Sequence, residues 1–187
     1  MSLPRSSPKV TILIDPSSAH PGAGAFIVDD AFSDEFLAAW DVLWPQLPVA
    51  EEAEGTCSER RYYCDAMGWG AAHINAVLES VGVGVRRVFP YMRILNYPHV
   101  DGRVAAHVDL FREDVRLGRS SHTFLLYLAT CERGGETMLL EKTSNCAKVM
   151  AAIQPRRGRL LVFPHLCPHK GDDTISLPKV LLRGEMV

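Results

Sequence analysis

The C-terminal half of the sequence is a series of short apolar runs separated by turn signals. Short apolar runs between turns are typical of β-strands. The clearest turn signals are Gly134-Gly135 and Arg157-Gly158. The runs occupy residues 88–96, 104–110, 122–130, 136–141, 147–153, 159–163 and 179–187. Because no helical pattern interrupts them, the sequence predicts a sandwich or barrel, and about eight strands in two facing sheets form a jelly roll.

The N-terminal half differs, with two strands and two helices expected. The β-branched run 10–14 and the apolar run 25–28 predict strands. Ser33 is suited to cap a helix, and a second helix is expected over 69–80, with Gly82 as its C-terminal stop. The first helix carries four apolar residues on one face: Phe36, Trp40, Leu43 and Trp44.

The two halves together predict one mainly β domain of the α+β class. A chain of 187 residues with 47% apolar composition can bury one substantial core. Residues 1–8 are expected to be disordered, 9–84 to supply N-terminal strands and flanking helices, and 85–187 to form the jelly-roll core. The expected architecture is a double-stranded β-helix, the cupin-like form of the jelly roll.

Charge, hydropathy and cysteine content exclude several classes of function. A formal net charge of −2 gives no electrostatic case for binding nucleic acid or an anionic membrane. No window approaches the length of a membrane span, and the N-terminus lacks the apolar core of a signal peptide. Five scattered cysteines without a CxxC pair indicate neither a zinc site nor a disulfide framework. We therefore expect a cytoplasmic or nuclear protein of unknown oligomeric state.

The stretch 103–110 carries a candidate metal site. His107 and Asp109 are two positions apart, so on a β-strand their side chains would project from one face. A third candidate, His169, follows 62 positions after His107 in the same β-rich half. Two histidines and one carboxylate form the facial triad of non-haem Fe(II) oxygenases, which leaves coordination positions open for chemistry. The alternative is a surface histidine and aspartate on an edge strand.

Seven motifs in order favour the metal site over that alternative. They are Tyr97, His107-Val-Asp109, His122-Thr-Phe-Leu-Leu-Tyr-Leu128, Gly134-Gly-Glu-Thr137, Pro155-x-x-Gly-x-Leu-Leu-Val-Phe-Pro164, His169-x-Gly171 and Lys179-x-x-x-Arg183. Through these motifs, the stretch from Tyr91 to the C-terminus resembles the catalytic domain of 2-oxoglutarate- and Fe(II)-dependent dioxygenases, in particular the prolyl 4-hydroxylase-like branch. The strand and helix at 26–44 are more weakly similar to the family's usual lead-in.

The resemblance implies that His107, Asp109 and His169 are the metal ligands and catalytic residues. It also implies a cation that binds the distal 5-carboxylate of 2-oxoglutarate. Lys179 lies ten positions after His169, which is the spacing of the lysine in prolyl 4-hydroxylases. Arg183 is the second candidate, because arginine offers a bidentate contact. The alternative for both is a pair of solvated cations on an edge strand.

Three further residues are implied to contact the cosubstrate. Tyr127 stands where the family often has a phenol that hydrogen-bonds the same carboxylate, and Thr123 is four residues earlier on the same strand face. Tyr97 stands ten residues before His107, at a position that faces the cosubstrate in relatives. Ordinary core packing is the alternative for each tyrosine.

The implied activity is hydroxylation of an unactivated C–H bond, with Fe(II) as the metal, 2-oxoglutarate as the cosubstrate and O2 as the oxidant. Ascorbate is a further implied reductant. The leading substrate class is a protein or peptide side chain such as proline. The alternatives are a small-molecule hydroxylase of the same superfamily and a non-catalytic, cupin-like module that binds a metal or ligand.

Two stretches without periodicity, 49–68 and 110–121, are predicted to be loops. The second directly follows the metal motif. We expect both to border the open side of the iron site, with Arg60, Tyr62 and Arg112 as candidate substrate contacts. The alternative is a pair of solvated loops far from the metal.

Overall fold

The computed structural model describes residues 7–50, 57–83 and 87–187. In chain order its elements are β1 (Lys9–Ile12), β2 (Phe26–Asp29), α1 (Asp34–Leu43), a 3₁₀ turn (Trp44–Gln46), β3 (Glu59–Cys64), α2 (Trp69–Ser80), β4 (Tyr91–Tyr97), β5 (Val104–His107), β6 (Glu113–Asp114), β7 (Gly118–Arg119), β8 (His122–Tyr127), β9 (Thr137–Leu140), β10 (Val149–Ile153), β11 (Leu160–Pro164), β12 (His169–Gly171) and β13 (Lys179–Met186). Neither helix in these ranges is long and apolar enough to cross a membrane.

The strands form two principal antiparallel sheets, which confirms the predicted double-stranded β-helix. The major sheet has the order β1-β2-β11-β8-β13-β4-β3, and the minor sheet has the order β10-β9-β12-β5. A separate hairpin joins β6 to β7. The three N-terminal strands belong to the major sheet, so residues 9–84 and 85–187 share one sheet.

The two faces of the major sheet pack against different partners. Strand residues alternate between the faces, as the period of two in a β-strand requires. On one face, Ile94, Phe124 and Leu182 pack with Trp40 and Leu78 of the helices. On the other face, a second cluster joins the major sheet to the minor sheet: Ile27, Leu125, Tyr127, Leu161, Phe163 and Leu181 with Leu139 and Ile153. Each fully buried large apolar side chain contributes about 1.5–3 kcal/mol to stability.

Both helices form where predicted, and α2 has the predicted bounds, whereas Leu43 and Trp44 of the predicted first-helix face are only partly buried and Trp44 follows α1 in the 3₁₀ turn. The Ser33 side chain accepts a hydrogen bond from the Phe36 backbone N–H at 3.3 Å and so caps α1. Phe36 and Trp40 are buried beneath it. At the start of α2, the Ala71 backbone N–H donates to the Asp65 carboxylate at 2.8 Å. The helices therefore cover the side of the sheet away from the minor sheet.

The structure corrects the two loop predictions. The predicted loop 49–68 contains β3, which pairs antiparallel with β4, and residues 51–56 lie outside the described residues. The predicted loop 110–121 contains the β6–β7 hairpin. The sequence of β3 is charged and half exposed, so pairing with β4, not an apolar pattern, defines it as a strand. Residues 1–6 of the segment expected to be disordered also lie outside the described residues.

Candidate active site

The three predicted metal ligands come together at the edge of the minor sheet. His107 ends β5 and is the direct Cα partner of His169 on β12. Asp109 lies beyond the end of β5, where its backbone N–H donates to the His165 carbonyl at 2.9 Å. The strand alternation argued for His107 and Asp109 is therefore wrong in its local detail, because a backbone contact outside the strand positions Asp109.

The geometry of these side chains fits a divalent metal. One ligand atom from each of His107, Asp109 and His169 lies within 4.8 Å of the other two. The Asp109 oxygens Oδ1 and Oδ2 each lie 3.8 Å from an Nε2 atom, the first of His107 and the second of His169. Ligand atoms this close can surround a common point at metal-binding distances of about 2.0–2.2 Å after small movements of the side chains.

Backbone carbonyls fix the tautomer of both histidines. Nδ1 of His107 donates to the Ala105 carbonyl at 2.8 Å, and Nδ1 of His169 donates to the Cys167 carbonyl at 2.9 Å. A carbonyl only accepts hydrogen bonds, so in each neutral ring the proton is on Nδ1 and the lone pair on Nε2. Both lone pairs are thus on the nitrogens nearest to Asp109, as metal ligation requires.

Burial and charge favour the ligating protonation states. Burial lowers the pKa of His169 to about 4, so its ring is neutral at physiological pH. Burial also opposes ionisation of Asp109, but Arg183, His169 and Thr123 outweigh it and lower the pKa of this carboxyl. The site therefore offers neutral imidazole and ionised carboxylate, which suit Fe(II).

Thr123 has a different contact from the predicted one. Its hydroxyl is buried and donates to Asp109 Oδ2 at 2.6 Å. The Oγ1 atom of Thr123 lies 2.9 Å from Nδ1 of His165, and Nε2 of that ring lies 2.8 Å from the Ser120 hydroxyl. Thr123 is not among the residues that line the pocket described next, and its hydroxyl contacts Asp109, so its predicted contact with the cosubstrate stays a prediction.

A pocket of about 610 Å³ opens between the two sheets beside these ligands. Its walls include the inward-facing residues of β13 and β4, and the segment that follows β5 closes one side. Arg60 and Arg112 line it, as predicted, but Tyr62 does not. Tyr62 lies beside Arg93 in the sheet and is about half exposed. Each predicted loop thus contributes one of the predicted contact residues to the lining, and Ser58, Leu110 and Phe111 of these segments also line the pocket.

Lys179 lines this pocket four residues along β13 from Arg183, about 13 Å away between Cα atoms. Only 1% of its surface is exposed, and its Nζ atom lies 4.1 Å from the centroid of the Tyr97 ring. Burial lowers the pKa of Lys179 to about 8. Within the described ranges, no carboxylate lies within 4.0 Å of this ammonium. A buried cation without a counter-ion is costly, and a bound carboxylate would remove that cost.

The two tyrosines occupy different positions relative to the pocket. Tyr97 lines it and packs against Lys179. Tyr127 is fully buried behind the lining, and its hydroxyl donates to the Thr137 hydroxyl at 2.7 Å. Thr137 lines the pocket. The predicted contact of Tyr127 with the cosubstrate would therefore run through Thr137.

Arg183 belongs to the metal end of the pocket. Its Nη2 atom lies 2.7 Å from Asp109 Oδ1, and its Nη1 atom lies 2.7 Å from Glu185 Oε1. Both contacts are ion pairs with buried carboxylates. Arg183 is therefore already paired within the protein, whereas Lys179 has no carboxylate partner among the described residues. Glu185 and Arg93 also line the pocket, and neither carries a sequence motif that would reveal it.

The comparisons with known proteins agree with this geometry. Residues 92–184 match the family model described as the 2OG-Fe(II) oxygenase superfamily. Over 103 residues the chain is 33% identical to probable prolyl 4-hydroxylase 4 and 31% identical to prolyl 4-hydroxylase 2, both of Arabidopsis thaliana. Each alignment covers 46% of this chain and 34% of the relative, so the chain matches about a third of those proteins' length.

Solved structures show the same fold at low sequence identity. A Pseudomonas putida prolyl-4-hydroxylase superposes with a TM-score of 0.60 at 16% identity, covering 94% of this chain and 96% of that chain. A viral collagen prolyl hydroxylase from Paramecium Bursaria Chlorella virus-1, solved with 2OG, gives 0.59 at 14% identity, covering 90% and 98%. Through residues 92–184, this chain belongs to the 2OG-Fe(II) oxygenase superfamily.

Proposed function

We propose that this protein is an Fe(II)- and 2-oxoglutarate-dependent dioxygenase that hydroxylates an unactivated C–H bond in a protein or peptide side chain such as proline. One observation carries the proposal: a single pocket joins a His-Asp-His triad to a buried lysine that has no carboxylate partner among the described residues. Alone, the buried lysine would only destabilise the fold, and the His-Asp-His triad would not identify a function. Together they match a metal and a dicarboxylate cosubstrate.

The metal would be held by Nε2 of His107, Nε2 of His169 and the carboxylate of Asp109. Three protein ligands leave coordination positions open for the cosubstrate and O2. When bound, Fe(II) with 2-oxoglutarate and O2 supplies the oxidising chemistry that inserts oxygen into a C–H bond. Thr123 and the Ala105 and Cys167 carbonyls hold the ligands in the orientation that binding needs.

Lys179 would bind the distal carboxylate of 2-oxoglutarate. Its ammonium is desolvated before the cosubstrate arrives, so a charge-assisted hydrogen bond forms without first removing bulk water from the lysine. Tyr97 packs against this ammonium, and Thr137 supplies a hydroxyl to the same pocket. These residues would orient 2-oxoglutarate with its other end toward the metal ligands.

A peptide substrate is supported by the relatives, which are named prolyl 4-hydroxylases. A structural neighbour from Trichoplax adhaerens is a prolyl hydroxylase in complex with a hypoxia inducible factor peptide fragment. The pocket volume of about 610 Å³ also favours a second candidate, a small-molecule hydroxylase, because it lies within the usual range of small-ligand sites. An ascorbate requirement stays a prediction.

Succinate formation from 2-oxoglutarate tests the proposal without knowledge of the substrate. We expect the purified protein with Fe(II) and O2 to form succinate slowly on its own, and Asp109→Ala and His169→Ala to abolish this turnover. His99→Ala, a change at an exposed histidine outside the pocket, is the matched control. Turnover that survives both ligand substitutions would place the metal elsewhere, and no turnover by the wild type would favour a binding module. A 16 Da mass gain in candidate peptides would then identify the substrate.

A further inference from the structure

The pocket carries an excess of positive charge. Its lining contains two carboxylates, Asp109 and Glu185. Its cations are Arg60, Arg93, Arg112, Arg183, Lys170 and Lys179. Lys170 is neutralised by Asp172, whose carboxylate lies 3.2 Å from its Nζ atom. Five cations therefore face two carboxylates. Fe(II) and the 2-oxoglutarate dianion carry equal and opposite charges, so their binding leaves this excess in place.

The buried carboxylate of Glu185 forms ion pairs with three of the arginines. Glu185 Oε1 lies 2.7 Å from Arg183 and 3.2 Å from Arg93, while its Oε2 lies 3.2 Å from Nε of Arg112. Arg183 shares the Asp109 carboxylate as well. Burial and the nearby Arg183 lower the pKa of Arg93, which indicates an arginine that is incompletely compensated. The cluster retains attraction for a further anion.

Arg60 has no counter-ion at all among the described residues. It stands on β3 at the edge of the pocket, and its Cα is paired with that of Leu95. Its Nε atom is buried without a hydrogen-bond partner, and no described carboxylate lies within 4.0 Å of its guanidinium. A buried guanidinium hydrogen without an acceptor is costly, and a ligand oxyanion would relieve that cost.

The surroundings of Arg60 are apolar. The floor of the pocket is lined by Leu95 of β4, which is the Cα partner of Arg60, by Leu181 of β13 and, one strand beyond, by Leu125 of β8. Two strand spacings, about 10 Å between Cα atoms, separate β3 from β13. Phe111 is partly exposed and also lines the pocket. A ligand that fills this space needs an apolar body with an anionic group at the β3 side.

We infer that the substrate hydroxylated in this pocket is a carboxylate, whose anionic group is bound by Arg60 while an apolar segment crosses the leucine floor toward the metal ligands. The positive charges of Arg93 and Arg112 also attract the anionic substrate electrostatically. This inference rests on the proposed function, since it concerns the substrate of the same site. The carboxylate can belong to an acidic side chain of a peptide or to a small molecule, and two arms of one experiment separate these sources.

The experiment compares acids with their uncharged amides. The protein is loaded with Mn(II) and N-oxalylglycine, an unreactive isostere of 2-oxoglutarate, and titrated calorimetrically. The peptide arm uses acetyl-Ala-Pro-Glu-Ala-amide against its glutamine analogue, and the small-molecule arm uses N-acetylproline against N-acetylprolinamide. We expect the acid of at least one pair to bind about ten-fold more tightly than its amide. Added salt should reduce this preference.

Variants assign the preference to Arg60. Arg60→Gln should reduce it to less than about three-fold, Arg60→Lys should keep part of it, and Arg133→Gln, at an exposed arginine outside the pocket, should leave it unchanged. Equal binding of acid and amide in both pairs, or no binding by either member, overturns the inference. So does a full preference that persists in a folded Arg60→Gln variant. If that variant does not fold, the comparison of acid and amide in the wild type still decides.

Succinate formation distinguishes a failure of the substrate inference from a failure of the proposed hydroxylase function. It is measured on the wild-type protein from the same preparation. Turnover of 2-oxoglutarate without any acid preference contradicts the substrate inference alone. An acid preference without metal-dependent turnover contradicts the hydroxylase proposal and leaves the anion site supported.

Discussion

The guanidinium of Arg183 lies 2.7 Å from the carboxylate of Asp109, the same carboxylate that stands between His107 and His169. This pair holds Asp109 ionised in a buried position and commits Arg183 to the metal end of the pocket. Lys179, further along the same strand, has no such partner among the described residues. In the proposed function, this difference between the two cations places the metal at one end of the pocket and the carboxylate anchor at the other.

Replacing Lys179 should weaken 2-oxoglutarate binding and stabilise the fold. We expect Lys179→Met to weaken 2-oxoglutarate binding by about 2–5 kcal/mol, because the buried carboxylate loses its cation. The same change should raise the free energy of unfolding by about 1–3 kcal/mol, since burial lowers the pKa of this lysine to about 8 and charging it is costly. Denaturant unfolding and calorimetry measure the two effects.

Lys170→Met is the matched control, because Lys170 lines the same pocket but is paired with Asp172. It should change 2-oxoglutarate affinity by less than about three-fold and should not stabilise the fold. A Lys179→Met variant that binds 2-oxoglutarate normally would refute the anchor assignment. A variant that loses both binding and stability would mean that the lysine is held by groups outside the described residues.

The affinity for 2-oxoglutarate should depend on pH through Lys179. A lysine with a folded pKa of about 8 is protonated at pH 7 and loses its charge above pH 8. We therefore expect the affinity to be constant from pH 6.5 to 7.5 and to fall at higher pH. Calorimetric titrations at half-unit steps up to pH 9.5 would show this slope, and a flat profile would argue against a lysine with a lowered pKa.

The contribution of Lys179 to stability should become more favourable over the pH range in which the affinity for 2-oxoglutarate falls. Because the folded pKa of Lys179 lies below its unfolded value, the unfolded chain binds more protons between pH 8 and about 10.4. The penalty for burying the charged lysine is present in full below pH 8 and is relieved as the pH rises through that window. The difference in unfolding free energy between Lys179→Met and the wild type should therefore shrink from pH 7 to pH 10. A difference that stays constant would contradict the pKa shift.

Removing the Thr123 hydroxyl should weaken metal binding. Thr123→Val keeps the side-chain shape but removes the hydrogen bond to Asp109 Oδ2. Supporting contacts of this kind typically affect metal affinity about 10–100-fold. Titration with Mn(II) measures the change, and Thr11→Val, on the exposed strand β1, is the control. An unchanged Mn(II) affinity would mean that the Arg183 pair alone orients the carboxylate.

The sequence predicts the β-rich core and both helices because these elements follow simple patterns. Ser33 caps α1 and the apolar positions at 69–80 define α2, so their bounds agree with the structure. The sequence does not predict strand β3, because its charged residues form a strand only through pairing with β4. Strand β12 is three residues long, too short for any periodicity to be visible.

The site is predicted as a set of residue types, but its contacts depend on tertiary structure. The spacing of His107 and Asp109 suggests a shared strand face, yet the backbone bond to His165 is what positions Asp109. Thr123 pairs in register with Glu185 of β13, and no local pattern could reveal that its hydroxyl reaches Asp109. Arg93 is likewise a pocket residue only because β4 pairs with β13 at this register.

A crystal structure with Mn(II) and 2-oxoglutarate, grown without O2, tests the site most directly. We expect one anomalous-scattering peak within about 2.0–2.3 Å of His107 Nε2, His169 Nε2 and an Asp109 oxygen, with the distal carboxylate of 2-oxoglutarate in hydrogen-bond contact with Lys179 Nζ. A metal bound outside this triad, or a cosubstrate whose distal carboxylate contacts Arg183 and leaves Lys179 unpaired, would contradict the site as described.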